Sequence, residues 1–203
     1  MSYTKNITAN TIRHYHESAQ SFWEGTRDHD VSQNIDALCR YLPNGGTHIL
    51  DFGCGPGRDL MTFTEMGYTA TGLDGAVDLC TLARANSGCE VWQQDFVELN
   101  LPKQCFAGIF ANATLFHTPR CELSNVLASF HQSLMNAGVV FCSNPRGPDI
   151  EQVNELRYGN YMETHGWRAY FTAAGFEECE HYYRPTGYPR EEQPWLAMVW
   201  RKI

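Results

Sequence analysis

Three aspartates and a short run of glycines carry the most legible chemistry in this chain. In "HILDFGCGPGRD", residues 48–59, an apolar stretch runs into Gly53, Gly55 and Gly57, separated by single residues. Glycines at this spacing let the backbone turn sharply and approach a ligand closely where a strand gives way to a helix. Asp51 stands two residues before the first of them, where a carboxylate receives a cationic ammonium group and repels a pyrophosphate. Asp74 closes the next β-rich run, "ATGLDG", at the downstream distance where a carboxylate accepts two ribose hydroxyls. Asp95 closes the third, "VWQQDF", where a carboxylate can accept from an adenine amino group while Phe96 or Leu73 packs on the ring. Each acid alone is as easily a loop or helix cap. At three successive strand ends they point together to a nucleoside ligand.

The glycine spacing narrows that ligand. A pyrophosphate-binding fingerprint reads GxGxxG, with the phosphates on the following helix N-terminus. Here the loop reads GxGxG, and Arg58 stands three residues after Gly55. With Asp51 beside it, the loop suits a cofactor without phosphates.

These residues need a scaffold that brings strand ends together. The chain alternates β-rich runs with amphipathic segments, the pattern of a doubly wound α/β sheet. The runs predict strands over 47–53, 68–74, 89–95, 106–112, 138–144, 177–184 and 195–202. Helices are predicted over 57–66, 76–86, 121–135 and about 164–174, with Gly175 as a stop, and two more over 8–24 and 32–42 before the sheet. Helices after the early strands imply parallel crossovers. The last two strands are joined by "PTGYPREEQP" without a helix and are expected to form an antiparallel hairpin. Residues 144–166 form the longest weakly patterned connection, as consistent with a lid as with a surface loop.

Bulk properties fit one folded domain over 1–203, with 1–44 as a helical cap and 45–203 as the core. The chain is 43% apolar and 19% charged, a globular composition. A formal net charge of −8 with no basic run disfavours nucleic acid as a partner. Its eight cysteines are scattered, without a CxxC pair or metal-like spacing, so they read as buried thiols and no metal is expected. With no apolar leader and no stretch of 18 apolar residues, the expectation is a cytoplasmic protein without a membrane span. Oligomeric state is left open.

Taken together, "ILDFGCGPGRD", "GLDGAVDLCTLAR", "QDF", "FAGIFANATLFH" and "LMNAGVVFCS" resemble the class I S-adenosylmethionine-dependent methyltransferases, closely over about 45–145 and loosely over the whole chain. One departure is "NAGV", where the family often has a Pro-Gly-Gly-like turn. The resemblance implies a Rossmann-like sheet of seven strands, mostly parallel with a C-terminal antiparallel hairpin, under an N-terminal helical cap. It implies S-adenosylmethionine as cofactor and S-adenosylhomocysteine as product. Tyr15, Asp51, Gly53, Cys54, Gly55, Gly57, Arg58, Asp74, Gly75, Asp95, Phe96 and Asn112 are the cofactor-contact candidates. It further implies that an aromatic of the N-terminal helix covers the methionine end. Tyr15, Phe22 and Trp23 are at hand for that, though aromatics at helical spacing are more often packing.

Methyl transfer is an in-line displacement that needs placement of an acceptor and exclusion of water. Acceptor contacts are expected at the carboxyl ends of strands four and five. His117, in "NATLFHTPR", is the candidate base or orienting group, and equally a cap or a packed ring. Trp23, Arg146, Tyr158 and Tyr161 are the further acceptor candidates, with Arg157 nearby. Arg146 offers an anionic acceptor a bidentate partner if it is not solvated surface. Tyr183 and Arg184 are weaker candidates in a corner with two prolines. After strand four the chain lacks the (N/D/S)PP(Y/F) tetrapeptide common in nucleobase amino methyltransferases, which favours a small-molecule substrate. Two other readings share the pattern: a nicotinamide-dependent oxidoreductase and a non-catalytic S-adenosylmethionine-binding module.

Overall fold

The computed structural model describes residues 3–203. Among them no helix is long and apolar enough to cross a membrane. A seven-stranded sheet runs β3-β2-β1-β4-β5-β9-β8, with β1 at His48–Phe52, β2 at Thr69–Asp74, β3 at Glu90–Gln93, β4 at Phe106–Asn112 and β5 at Leu134–Pro145. These five are parallel. The last two, β8 (Phe176–Arg184) and β9 (Trp195–Lys202), pair antiparallel, and β9 also runs antiparallel to β5. The expected C-terminal hairpin is therefore present and closes the sheet.

Both faces are covered, so the central strands are apolar on both sides. Leu50, Phe52, Ile109, Val140, Met198 and Trp200 share one buried cluster with side chains of α6 (Leu123–Ser133) and α7 (Thr164–Ala173). The alternate residues Ile49, Phe110, Phe141 and Val199 pack with α3 (Ser32–Tyr41), α4 (Arg58–Glu65) and α5 (Val77–Ser87). This period of two locks the register, because a one-residue slip would exchange the faces. Each parallel strand therefore ends at the same edge, and the site lies there.

Two features depart from the sequence reading. The helix expected over 8–24 is two helices, α1 (Tyr3–Glu17) and α2 (Ala19–Thr26). The break falls at Ser18, whose hydroxyl donates to the His14 carbonyl at 2.7 Å. The weakly patterned stretch after β5 contains a hairpin of its own, β6 (Ile150–Asn154) and β7 (Arg157–Tyr161). All five β6 residues are exposed, so no apolar alternation marks it. Its turn places Glu155 at φ +56°, without the glycine that usually signals such a turn.

Candidate active site

At the carboxyl edge of the sheet a cavity of about 660 Å³ lies between the strand ends and the helices α1 and α2. Its floor begins with the glycine loop. Gly53 at φ +74° turns the chain out of β1, and the Gly53 and Cys54 amides donate to the Leu73 carbonyl at 2.7 and 3.0 Å. Gly57, at φ +90°, caps α4. The amide of Gly55 donates to Asp74 Oδ2 at 3.0 Å, and the Ala76 amide donates to Oδ1 at 2.9 Å. Asp74 is buried on the cavity wall. Burial outweighs those amide donors and raises its carboxyl to about 6.

Asp51 is 2% exposed, and among the described residues its Oδ2 has no hydrogen-bond partner. Burial first, then the nearby Asp59 carboxylate, push Asp51 well above the usual carboxylate range. Arg58 forms a two-point pair with Asp59, at 2.7 and 2.9 Å, and donates to the Thr26 carbonyl at 2.9 Å. The loop's neighbouring cation is thus neutralised and ties α4 to α2. At the far end of the floor, Asp95 Oδ1 accepts from the Val97 amide at 3.1 Å. Phe96 packs on Phe52 with ring centroids 4.3 Å apart; both Asp95 and Phe96 line the cavity.

The cover comes from α1 and α2, with Thr11, Ile12, Tyr15 and Phe22 facing inward. Tyr15 Oη lies 2.9 Å from His117 Nε2, and His117 Nδ1 lies 2.6 Å from the Tyr158 carbonyl. A carbonyl only accepts, so Nδ1 carries the proton and Nε2 accepts from the Tyr15 hydroxyl. Burial lowers the imidazole to about 4, so His117 is neutral near pH 7. A second tie joins the same elements: the Tyr158 amide donates to Thr11 Oγ1 at 3.0 Å.

The His117 burial has a measurable consequence. A folded-state pKa below the unfolded value near 6.5 gives stability that is present above that value and lost as pH falls toward 4. His117→Gln is therefore expected to destabilise less at pH 4.5 than at pH 7, by about 2 kcal/mol. Urea unfolding of both proteins at the two pH values checks this; a pH-independent difference contradicts it.

Tyr15, Gly53, Cys54, Gly55, Arg58, Asp74, Gly75, Asp95, Phe96, Asn112 and His117 all line the main cavity. Others do not. Gly57 faces α5, where an added Cβ would lie 2.9 Å from Ala83 Cα; its role is helix packing. Asp51 does not line the cavity. Trp23 lines neither this cavity nor its neighbour. The Arg146 guanidinium is directed away, onto Glu163 at 3.3 Å and the Arg190 and Gln193 carbonyls at 2.9 and 3.0 Å. Tyr158 points its hydroxyl at the Glu151 carboxylate, and only its backbone serves the site. Tyr161 lines a smaller adjoining chamber of about 210 Å³.

Several lining residues were not singled out from the sequence, notably Thr11, Phe116 and Trp195. Trp195 begins β9 opposite Pro145 of β5 and Arg184 of β8. The first residue of an antiparallel strand lies at the edge where its parallel neighbours end, so strand direction was the available signal.

The seven-stranded sheet has the Rossmann-like fold found in methyltransferases. Residues 49–138 match the family described as "Methyltransferase domain". Among solved structures it is similar to a 1,6-didemethyltoxoflavin-N1-methyltransferase from Burkholderia thailandensis, with TM-score 0.79 and 19% identity over 100% of this chain and 91% of that one. A Leishmania major S-adenosylmethionine-dependent methyltransferase gives TM-score 0.77 and 15% identity over 96% and 82%. One from Mesorhizobium loti gives 0.68 and 19% over 82% and 96%. At these identities the likeness is one of fold. No curated protein sequence matches the chain significantly.

Proposed function

We propose that the chain binds S-adenosylmethionine in the main cavity and transfers its methyl group to a small-molecule acceptor. The observation that carries this reading is Asp74, a buried carboxylate on the cavity wall held by backbone amides, among them those of Gly55 in the glycine loop and Ala76. Its remaining lone pairs suit a pair of ribose hydroxyls. The fit extends along the wall. Phe96 offers an adenine-sized apolar face and Asp95 Oδ2 an acceptor for its amino group. Arg58 is paired with Asp59, and the GxGxG spacing of the loop weighs against a nicotinamide dinucleotide.

When bound, S-adenosylmethionine supplies an electrophilic methyl carbon on a sulfonium, which in-line displacement passes to a nucleophile, leaving a neutral thioether. The chain's residues bind, orient and exclude water. Tyr15 and Phe22 cover the loop from above, and the tie of Thr11 to β7 fixes α1 as a roof. His117 acts as a positioning residue: with Nε2 accepting from Tyr15 and its pKa near 4, it holds the Tyr15 hydroxyl and takes up no proton near pH 7. An acceptor that reaches this site already deprotonated needs no base from the protein.

A small-molecule acceptor is supported by the roofed cavity and by the toxoflavin-precursor enzyme, whose structure holds 1,6-didemethyltoxoflavin and S-adenosylhomocysteine. The expected result is that S-adenosylhomocysteine at about 100 times its Kd stabilises the protein by about 2.7 kcal/mol, while NADH leaves the melting temperature unchanged. A shift with NADH and none with S-adenosylhomocysteine would overturn the proposal.

A further inference from the structure

Resting on the reading above, we infer that the smaller chamber anchors the methyl acceptor, and that this acceptor is a single-ring aromatic carrying an anionic group, received by Arg157. The chamber of about 210 Å³ adjoins the main cavity and shares Phe116, His117, Arg157 and Trp195 with it. A cavity of about 150 Å³ already accepts benzene, so this one has room for a substituted ring. Its walls are largely aromatic. Phe116 and Tyr161 stand with centroids 6.0 Å apart at 47°, His117 lies against Phe116 at 3.9 Å, and Trp195 closes the side toward β9.

The anionic group follows from how the arginines are used. Arg58, Arg146 and Arg168 are each paired with a carboxylate, and Arg120 donates to Asn160 at 2.8 and 3.0 Å. Arg157 lines both cavities, and among the described residues no carboxylate lies within ion-pair distance of it. One interaction, with the Tyr15 hydroxyl, leaves most of its five donors free. Arg184, fixed by the Asp30 carbonyl at 3.0 Å, adds positive charge on the main cavity wall. Charge around the cavities is therefore divided: carboxylates at the end of β2 and just past β3, arginines at the start of β7 and the end of β8. A guanidinium fork matches a carboxylate or an aromatic oxyanion. It also keeps such an oxyanion ionised beside the roof that Tyr15 forms.

Calorimetric titration of the full chain, saturated with S-adenosylhomocysteine, tests this with benzoate, 4-hydroxybenzoate and salicylate against their neutral amides. At least one carboxylate is expected to bind about tenfold or more tighter than its amide. Arg157→Gln is expected to abolish that preference, and Arg157→Lys, which keeps the charge without the fork, to restore part of it. Equal binding of acids and amides, binding by none, or a preference unchanged in Arg157→Gln overturns the inference. Saturation by S-adenosylhomocysteine is measured first in the same cell. Its failure would instead remove the proposed function on which the inference rests.

Discussion

Asp74→Ala is expected to weaken S-adenosylhomocysteine binding by about 100-fold, read by calorimetry at pH 8. Two hydrogen bonds from ribose hydroxyls to a buried carboxylate are lost, each about 1.5 kcal/mol or more, and about 1.4 kcal/mol corresponds to tenfold in Kd. The carboxyl titrates at about 6, so the wild type should also bind about tenfold more weakly at pH 5 than at pH 8, as the acceptor oxygens become protonated. Asp74→Asn should bind weakly with no such pH dependence. An affinity within threefold of wild type in Asp74→Ala, at roughly unchanged melting temperature, would contradict the assignment.

The same pKa bears on stability with the opposite sign to His117. A carboxyl raised from 3.8 to about 6 in the fold contributes stability below 3.8 that is lost as pH rises through 6, roughly 3 kcal/mol in total. His117, lowered to about 4, loses its contribution as pH falls over nearly the same window. The two slopes offset one another between about pH 4 and 6.5, and the single variants unmask them.

Gly53→Ala is the second large effect, expected to lower stability by about 3 kcal/mol and the melting temperature by roughly 6–12 °C. Two independent causes add. Gly53 has φ +74°, where a side chain is strained, and its Cβ would fall 2.2 Å from Thr114 Cγ2. Thr114 cannot easily yield, since it is buried and its hydroxyl donates to the Asn112 carbonyl at 3.1 Å. Gly67→Ala separates the causes, because Gly67 shares the positive φ (+88°) but has open space around it. It should cost only about 1 kcal/mol. Equal melting temperatures for the two variants, measured by calorimetry, would show that the glycine loop does not pack on Thr114.

Much of this site was legible because it is written in backbone chemistry. Glycines at a strand-to-helix turn and aspartates at strand ends are positions where local structure and ligand contact impose the same residue type. The sheet was legible for a related reason: strands covered on both faces are apolar throughout, and β1, β4 and β5 announce themselves. The acceptor side was not. Arg146 and Arg157 look alike in sequence, and only the fold shows that one is bound to Glu163 while the other faces both cavities. The hairpin that carries Arg157 has an exposed first strand and a turn without glycine, so nothing periodic marked it. His117 was found as a candidate base, yet its tautomer and low pKa depend on the Tyr158 carbonyl and the Tyr15 hydroxyl, 41 and 102 residues away. Such contacts arise from tertiary packing and leave no local signature.

In the proposed function, Asp74 and the glycine loop form the cofactor's ribose and methionine site, with the acceptor at the Arg157 end. A crystal structure of the protein with S-adenosylhomocysteine tests it most directly. Both ribose hydroxyls are expected on the Asp74 carboxylate, the adenine beside Phe96 and Asp95, and the sulfur turned toward Tyr15 and His117. A ligand with its ribose elsewhere, or with its sulfur facing β3, would contradict it.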